Sequence, residues 1–143
     1  MTTASPLLLA ATALVAYHLA QKSVPADAAP VAVIAVAYLA GLATCLVAAP
    51  FLLEGATIPE AFASIGRAWP ICAAIGVAAA GIEFGFLLAY RAGWPVSTAS
   101  LLVNVAVALV LLAVGLVVYR EAVTSGVLVG VALCLSGLWL ILK

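Results

Sequence analysis

Few side chains in this sequence can do chemistry, and Glu83 is the most informative of them. It stands inside the apolar run 69–91. A charge at such a position is disfavoured by about 2.5–3.5 kcal/mol on insertion scales, and residues that carry this penalty mark proton and ion pathways. A carboxyl there can pass between a neutral, protonated form and a charged form that holds a cation or gives its proton to water. The plainer role is a protonated Glu83 that hydrogen-bonds a neighbouring helix. Gly81 and Gly85 flank it, and such small residues allow close helix approach. Four other polar residues lie in comparable runs, Asn104, Ser100, Tyr38 and His18. Ser97, Ser100 and Asn104 can share one stripe of a helix. They can bond a substrate, or the serines can bond back onto their own helix while Asn104 bonds across to another. Tyr38 offers a ring and a hydroxyl, which suit a cation or simple packing. His18 can relay protons near neutrality, or it can be an interfacial residue with Lys22 reaching the headgroups one turn later.

These residues must be positioned by helices in lipid. The chain has 143 residues, of which 69% are apolar and 7% charged, with a mean hydropathy of +1.40. Soluble domains are nearer half apolar and a quarter charged, and a chain this short could not hide so much apolar surface from water. The solvent is therefore expected to be a bilayer. That excludes a cytosolic enzyme and a disordered tail, and the five scattered Lys and Arg residues do not make a nucleic-acid surface. Nothing resembles a nucleophile–base pair, so no enzymatic activity is expected. Cys45, Cys72 and Cys134 are odd in number and sit in apolar runs; they read as small buried residues rather than a disulfide framework. With one histidine and no Cys-x-x-Cys pair, neither a metal nor another cofactor is expected. Residues 1–6 carry no Lys or Arg, unlike the start of a signal peptide, so the first apolar run is expected to be kept.

A spanning helix needs roughly 20 apolar residues. Five stretches qualify, at about 4–22 (its apolar part 6–21), 30–53, 69–91, 95–119 and 122–142, in one transmembrane domain. Pro6, Pro30, Pro70 and Pro95 stand at or next to their starts, where helix entry tolerates proline. The one long connection, 54–67, holds Ile58, Ala61, Phe62 and Ile65 at helical spacing, the pattern of a short amphipathic helix on the membrane surface. Counting 1.5 Å per residue from the face that carries Lys22, Arg91 and Lys143, Glu83 is roughly 11 Å deep. Asn104 and Tyr38 are at similar depth, and His18 is shallower. Arg67 and Arg120 fall on the opposite face. Lys/Arg bias sets orientation, and here it nearly vanishes. Such a chain can insert both ways and pair antiparallel, reproducing the inverted repeats of many transporters. The plainer outcome is a weakly biased chain oriented by a partner or by its loops.

At Tyr119-Arg120-Glu121-Ala122-Val123-Thr124-Ser125-Gly126-Val127-Leu128-Val129-Gly130 the sequence resembles one half of an EamA-type transporter of the drug/metabolite transporter superfamily. The stretch is similar to a fourth helix ending in glutamate, followed by a glycine-rich fifth. The family usually has Gly-Glu where this chain has Arg120-Glu121. Gly85-Phe86-Leu87-Leu88-Ala89-Tyr90-Arg91 with Ser97 to Ser100 is similar to the third-to-fourth helix join, and His18-Leu19-Ala20-Gln21-Lys22 with Pro25 to the first-helix ending of some short members. The resemblance extends over nearly the whole chain. It implies an all-α membrane protein of five transmembrane helices, an inverted-repeat half that works as a homodimer or as a heterodimer with a similar short chain. It also implies movement of small metabolites, amino acids or amphipathic cations. In the related four-helix small multidrug resistance transporters the last helix makes the dimer contact, which makes Gly126 and Gly130 the candidate interface; ordinary packing within one chain would use the same residues.

The expected function is a small-molecule transporter, proton-coupled through Glu83, in a multi-pass membrane location such as the bacterial inner or plasma membrane. Its expected partners are the substrate, the lipid bilayer and a second short chain. The alternatives are a non-transporting membrane subunit, in which Glu83 pairs with a partner's cation, and a lipid-carrier flippase subunit.

Overall fold

The structure, a computed structural model, describes residues 4–122 and 124–143; Val123, within the fifth expected span, lies outside the described residues. Its elements are helices: α1 (Ser5–Lys22), α2 (Pro30–Leu52), α3 (Ile58–Ile65), α4 (Trp69–Arg91), α5 (Val96–Val117) and α6 (Ser125–Leu142), with a 3₁₀ turn at Gly66–Ala68 between α3 and α4. No strand occurs among the described residues.

Three helical segments are long and apolar enough to cross a membrane: Pro30–Leu52, Ile58–Arg91 and Val96–Val117. They fit a membrane protein. The 23 residues of α2 and of α4 rise about 34 Å, and the 22 of α5 about 33 Å, against a hydrocarbon core of about 30 Å. The apolar helix Ser125–Ile141 is shorter. Side-chain burial runs opposite to that of a soluble domain: Phe51, Val117 and Leu7 are 84%, 79% and 73% exposed, while the buried set is Ile34, Phe86, Leu87, Tyr90 and Ala99 with two polar residues, His18 and Gln21. Apolar surface of this extent needs an apolar solvent.

The chain divides into two compact units. One comprises Ser23–Arg91, in which α2 packs on α4. Its entry loop is held by Arg91, whose Nη2 donates to the carbonyls of Pro25 (3.3 Å) and Ala28. The other comprises Met1–Lys22 and Ala92–Lys143, in which α5 packs on both α1 and α6. Here Lys22 Nζ donates to the Trp94 carbonyl at 3.3 Å.

The helix limits depart from the expected spans most at the α5–α6 join. α5 stops at Val117, α6 starts at Ser125, and the cause is local. Arg120 adopts φ +53°, which no helix continues, and the Glu121 amide donates to the Gly115 carbonyl at 3.0 Å. The Glu121 carboxylate folds over Gly115, where an added Cβ would meet Oε2 at 2.7 Å. α6 then begins at its own N-cap: the Thr124 hydroxyl accepts from the Val127 amide at 3.4 Å, satisfying one of the donors that a helix start leaves over.

Two smaller expectations are corrected. Cys45, Cys72 and Cys134 are free thiols on the exposed surface, not buried residues; in a chain whose lipid side is also apolar, an apolar neighbourhood in sequence does not mean an interior position. Gly81 and Gly85 do not mark a close helix approach within the chain, since an added Cβ at either would meet nothing within 4 Å.

Candidate functional site

Glu83 and Tyr38 belong to the Ser23–Arg91 unit. α4 forms from an alanine-rich, apolar run that begins with Trp69-Pro70 and ends at Arg91, proline being tolerated in a first turn and a cation favoured in a last one. Glu83 is half-buried on it. Phe86 and Leu87 lie one helical turn further on and Tyr90 two, all buried, with Leu87 only 1% exposed. The rings of Phe86 and Tyr90 stand 5.8 Å apart at 32°. The carboxyl therefore borders the best-packed part of its helix. Tyr38, on α2, is 41% exposed, one turn after the buried Ile34.

His18, Ser100 and Asn104 belong to the other unit. His18 is buried near the end of α1 together with Gln21. The Gln21 amide donates to the Tyr17 hydroxyl at 2.9 Å, and the Tyr17 and His18 rings meet edge to face, 5.1 Å apart. Sequence reasoning leaves His18 between a proton relay and an interfacial residue and gives Tyr17 and Gln21 no role. A signal was available, since a Tyr and a Gln four residues apart on a helix are within reach of one another. Ser100 donates to the Val96 carbonyl at 2.7 Å, so its proton is used by its own helix and only its lone pairs face outward. Asn104 is exposed. It borders a groove between α5 and α6 of about 370 Å³, with Val105, Ala108, Leu109, Val127, Gly130, Val131 and Cys134 as the other walls. This groove brings together Asn104, named for substrate, and Gly130, named for dimer contact. Gly126 is not part of it; its neighbour is the Thr124 hydroxyl, 3.8 Å from where a Cβ would stand.

Three other in-helix hydroxyls behave as Ser100 does. Thr12, Thr44 and Ser136 donate to carbonyls three or four residues back in their own helices. Glu83, His18, Tyr38, Gln21 and Asn104 are among the helix side chains equipped to handle a proton or a polar ligand. On α3, the Glu60 carboxyl is held below its ordinary range by the Thr57 backbone and side-chain hydrogen bonds. Among the described residues no group of three or more His, Cys, Asp or Glu is arranged to hold a metal ion.

No protein-family model, curated protein or solved structure matches the chain.

Proposed function

We propose that the chain is a small-molecule membrane transporter of the drug/metabolite type, with Glu83 as the proton-coupling carboxyl. The observation that carries the reading is a half-buried carboxyl on a helix long enough to span the bilayer. Such a group is retained against a penalty of about 2.5–3.5 kcal/mol. Protonated, it crosses or faces hydrocarbon at low cost; deprotonated, it holds a cation or waits for the next proton. Tyr38, His18, Ser100 and Asn104 are the proposed substrate-contacting residues. In this reading α1 and α6, 18 residues each and so about 27 Å long, complete a five-span, EamA-like half, and the nearly equal Lys/Arg content of the two faces favours an antiparallel dimer whose contact includes Gly126 and Gly130.

The test is flux into proteoliposomes under an imposed pH gradient, across a panel of amphipathic cations and amino acids, with Glu83→Gln beside the unmodified chain. Gradient-driven flux that the substitution abolishes, in a variant that still folds and reconstitutes, is the expected result. Equal flux in both proteins removes Glu83 from the mechanism, and no flux in either across the panel removes transport.

A further inference from the structure

We propose that α3 is an in-plane membrane helix whose partner is an electrically neutral lipid leaflet. It turns Ile58, Phe62 and Ile65 toward the acyl boundary and holds the depth at which α4 enters the bilayer. This placement is independent of any transport activity.

The helix closes its own start. The Thr57 hydroxyl accepts from the Glu60 amide at 3.4 Å, and Glu60 Oε2 accepts from the Thr57 amide at 2.7 Å. This reciprocal cap, with Pro59 in the first turn, satisfies helix-start donors without help from any neighbour. At 100° per residue, Ile58, Ala61, Phe62 and Ile65 fall within one 100° sector, while Glu60 and Ser64 lie opposite. Phe62 and Ile58 remain 63% and 44% exposed, so the chain itself leaves that part of the sector open, while Ala61 and Ile65 are half-buried.

α4 fixes where α3 can lie. Three residues, Gly66–Ala68, separate α3 from Trp69, and α4 is apolar and long enough to span. A helix about 12 Å long on so short a leash cannot leave the membrane surface. Nor is it the outer part of a straight spanning helix. The 34 residues of Ile58–Arg91 would rise roughly 51 Å, beyond the 40–45 Å of a whole bilayer with its headgroups. Gly66, at φ +49°, breaks the run where it must turn. Trp69 and Ile71, both about two-thirds exposed, carry the apolar surface of α3 onto the lipid side of α4.

Charge decides the class of leaflet. Across 54–68 the ionised side chains are Glu54, Glu60 and Arg67, one cation against two anions. Interfacial helices that seek anionic lipid carry Lys and Arg on the polar face, and juxtamembrane basic clusters do the same. Here the polar face holds Glu60 and Ser64. Attachment therefore rests on inserted apolar area and gains nothing from anionic headgroups.

The experiment places single nitroxide labels by Ile58→Cys, Phe62→Cys, Ala63→Cys, Ser64→Cys and Ile65→Cys, in a chain whose three native cysteines are replaced by alanine. The chain is reconstituted in phosphatidylcholine, with and without phosphatidylglycerol. The ratio of oxygen to nickel-chelate accessibility is expected to be several-fold higher at 58, 62 and 65 than at 63 and 64, and unchanged by phosphatidylglycerol. Five water-like labels overturn the proposal, as do five lipid-like labels. Immersion that appears only with anionic lipid overturns the leaflet class, and spin–spin broadening at 58 and 62 assigns the face to a second copy instead. Hydrogen exchange of the unmodified chain supplies a check without substitutions: amides 58–65 are expected to exchange more slowly in vesicles than in a detergent that leaves α4 protected, and equal rates count against immersion.

Discussion

Arg120→Gly is expected to stabilise the protein, although it deletes a side chain. Arg120 sits at φ +53°, a left-handed conformation that costs an L-residue roughly 1–2 kcal/mol. Glycine avoids that cost, but it loses more backbone freedom on folding, about 0.5–1 kcal/mol. The difference leaves a gain of about 0.5–1 kcal/mol, a two- to fivefold change in the unfolding equilibrium. The Arg120 side chain is exposed, and exposed substitutions away from special features stay within about 0.5 kcal/mol. Arg120→Ala isolates the backbone effect, because it removes the same side chain and keeps Cβ. The assay is reversible unfolding in mixed micelles, titrated with a denaturing detergent and followed by helical circular dichroism. The expected order is Arg120→Gly above both Arg120→Ala and the unmodified chain. If Arg120→Gly is no more stable than Arg120→Ala, the left-handed turn does not store this strain and the reasoning fails.

Two further outcomes can be measured in the same way. Gly115→Ala should be close to neutral alone, because its helix-propensity gain of about 0.5–1 kcal/mol is offset by displacing the Glu121 carboxylate, 2.7 Å from the new Cβ. In a Glu121→Ala background the gain should appear in full, and simple additivity of the two changes would contradict the contact. The α3 cap should depend on pH: the Glu60 carboxyl is lowered from its ordinary 4.5 by hydrogen bonds from Thr57, so its contribution is present above pH 4.5 and is lost as pH falls through the lower folded value. Hydrogen-exchange protection of the non-proline amides of 58–65, relative to the intrinsic rate at each pH, should fall over that window, and in Glu60→Gln, which keeps an acceptor for Thr57, it should not.

Helices were the most legible part of the molecule. Proline before or within a first turn and the long apolar runs located α2, α4 and α5 to within two residues of each end, and the spacing of Ile58, Phe62 and Ile65 located α3. The α5–α6 join was less legible. Arg120-Glu121 reads as polar punctuation between two apolar runs, and nothing in the residue type announces a left-handed arginine or a carboxylate folded back over Gly115. Sidedness was the least legible. In water, polar and apolar residues sort to opposite faces, but in lipid both faces of α2 and α6 are apolar. Composition therefore could not say that Cys45 and Cys134 point outward. For the candidate site, the depth of Glu83 and Asn104 could be counted along a helix. The pairing of Gln21 with Tyr17 could have been read from their spacing. That Ser100 spends its proton on Val96 is a rotamer choice, which sequence leaves open.

The small set of buried side chains has a consequence for how the sequence can drift. Where Phe51, Val47, Ile75 and Val117 are mostly exposed, selection sees chiefly their hydropathy, and leucine, isoleucine, valine and alanine exchange there more freely. Shape is imposed at far fewer places: Ile34, Phe86, Leu87, Tyr90 and Ala99, with His18 and Gln21 among them. Two descendants of one ancestor could thus lose most of their matching letters while keeping every helix. Their kinship would survive in a handful of positions and in the rhythm of apolar runs, not in percentage identity.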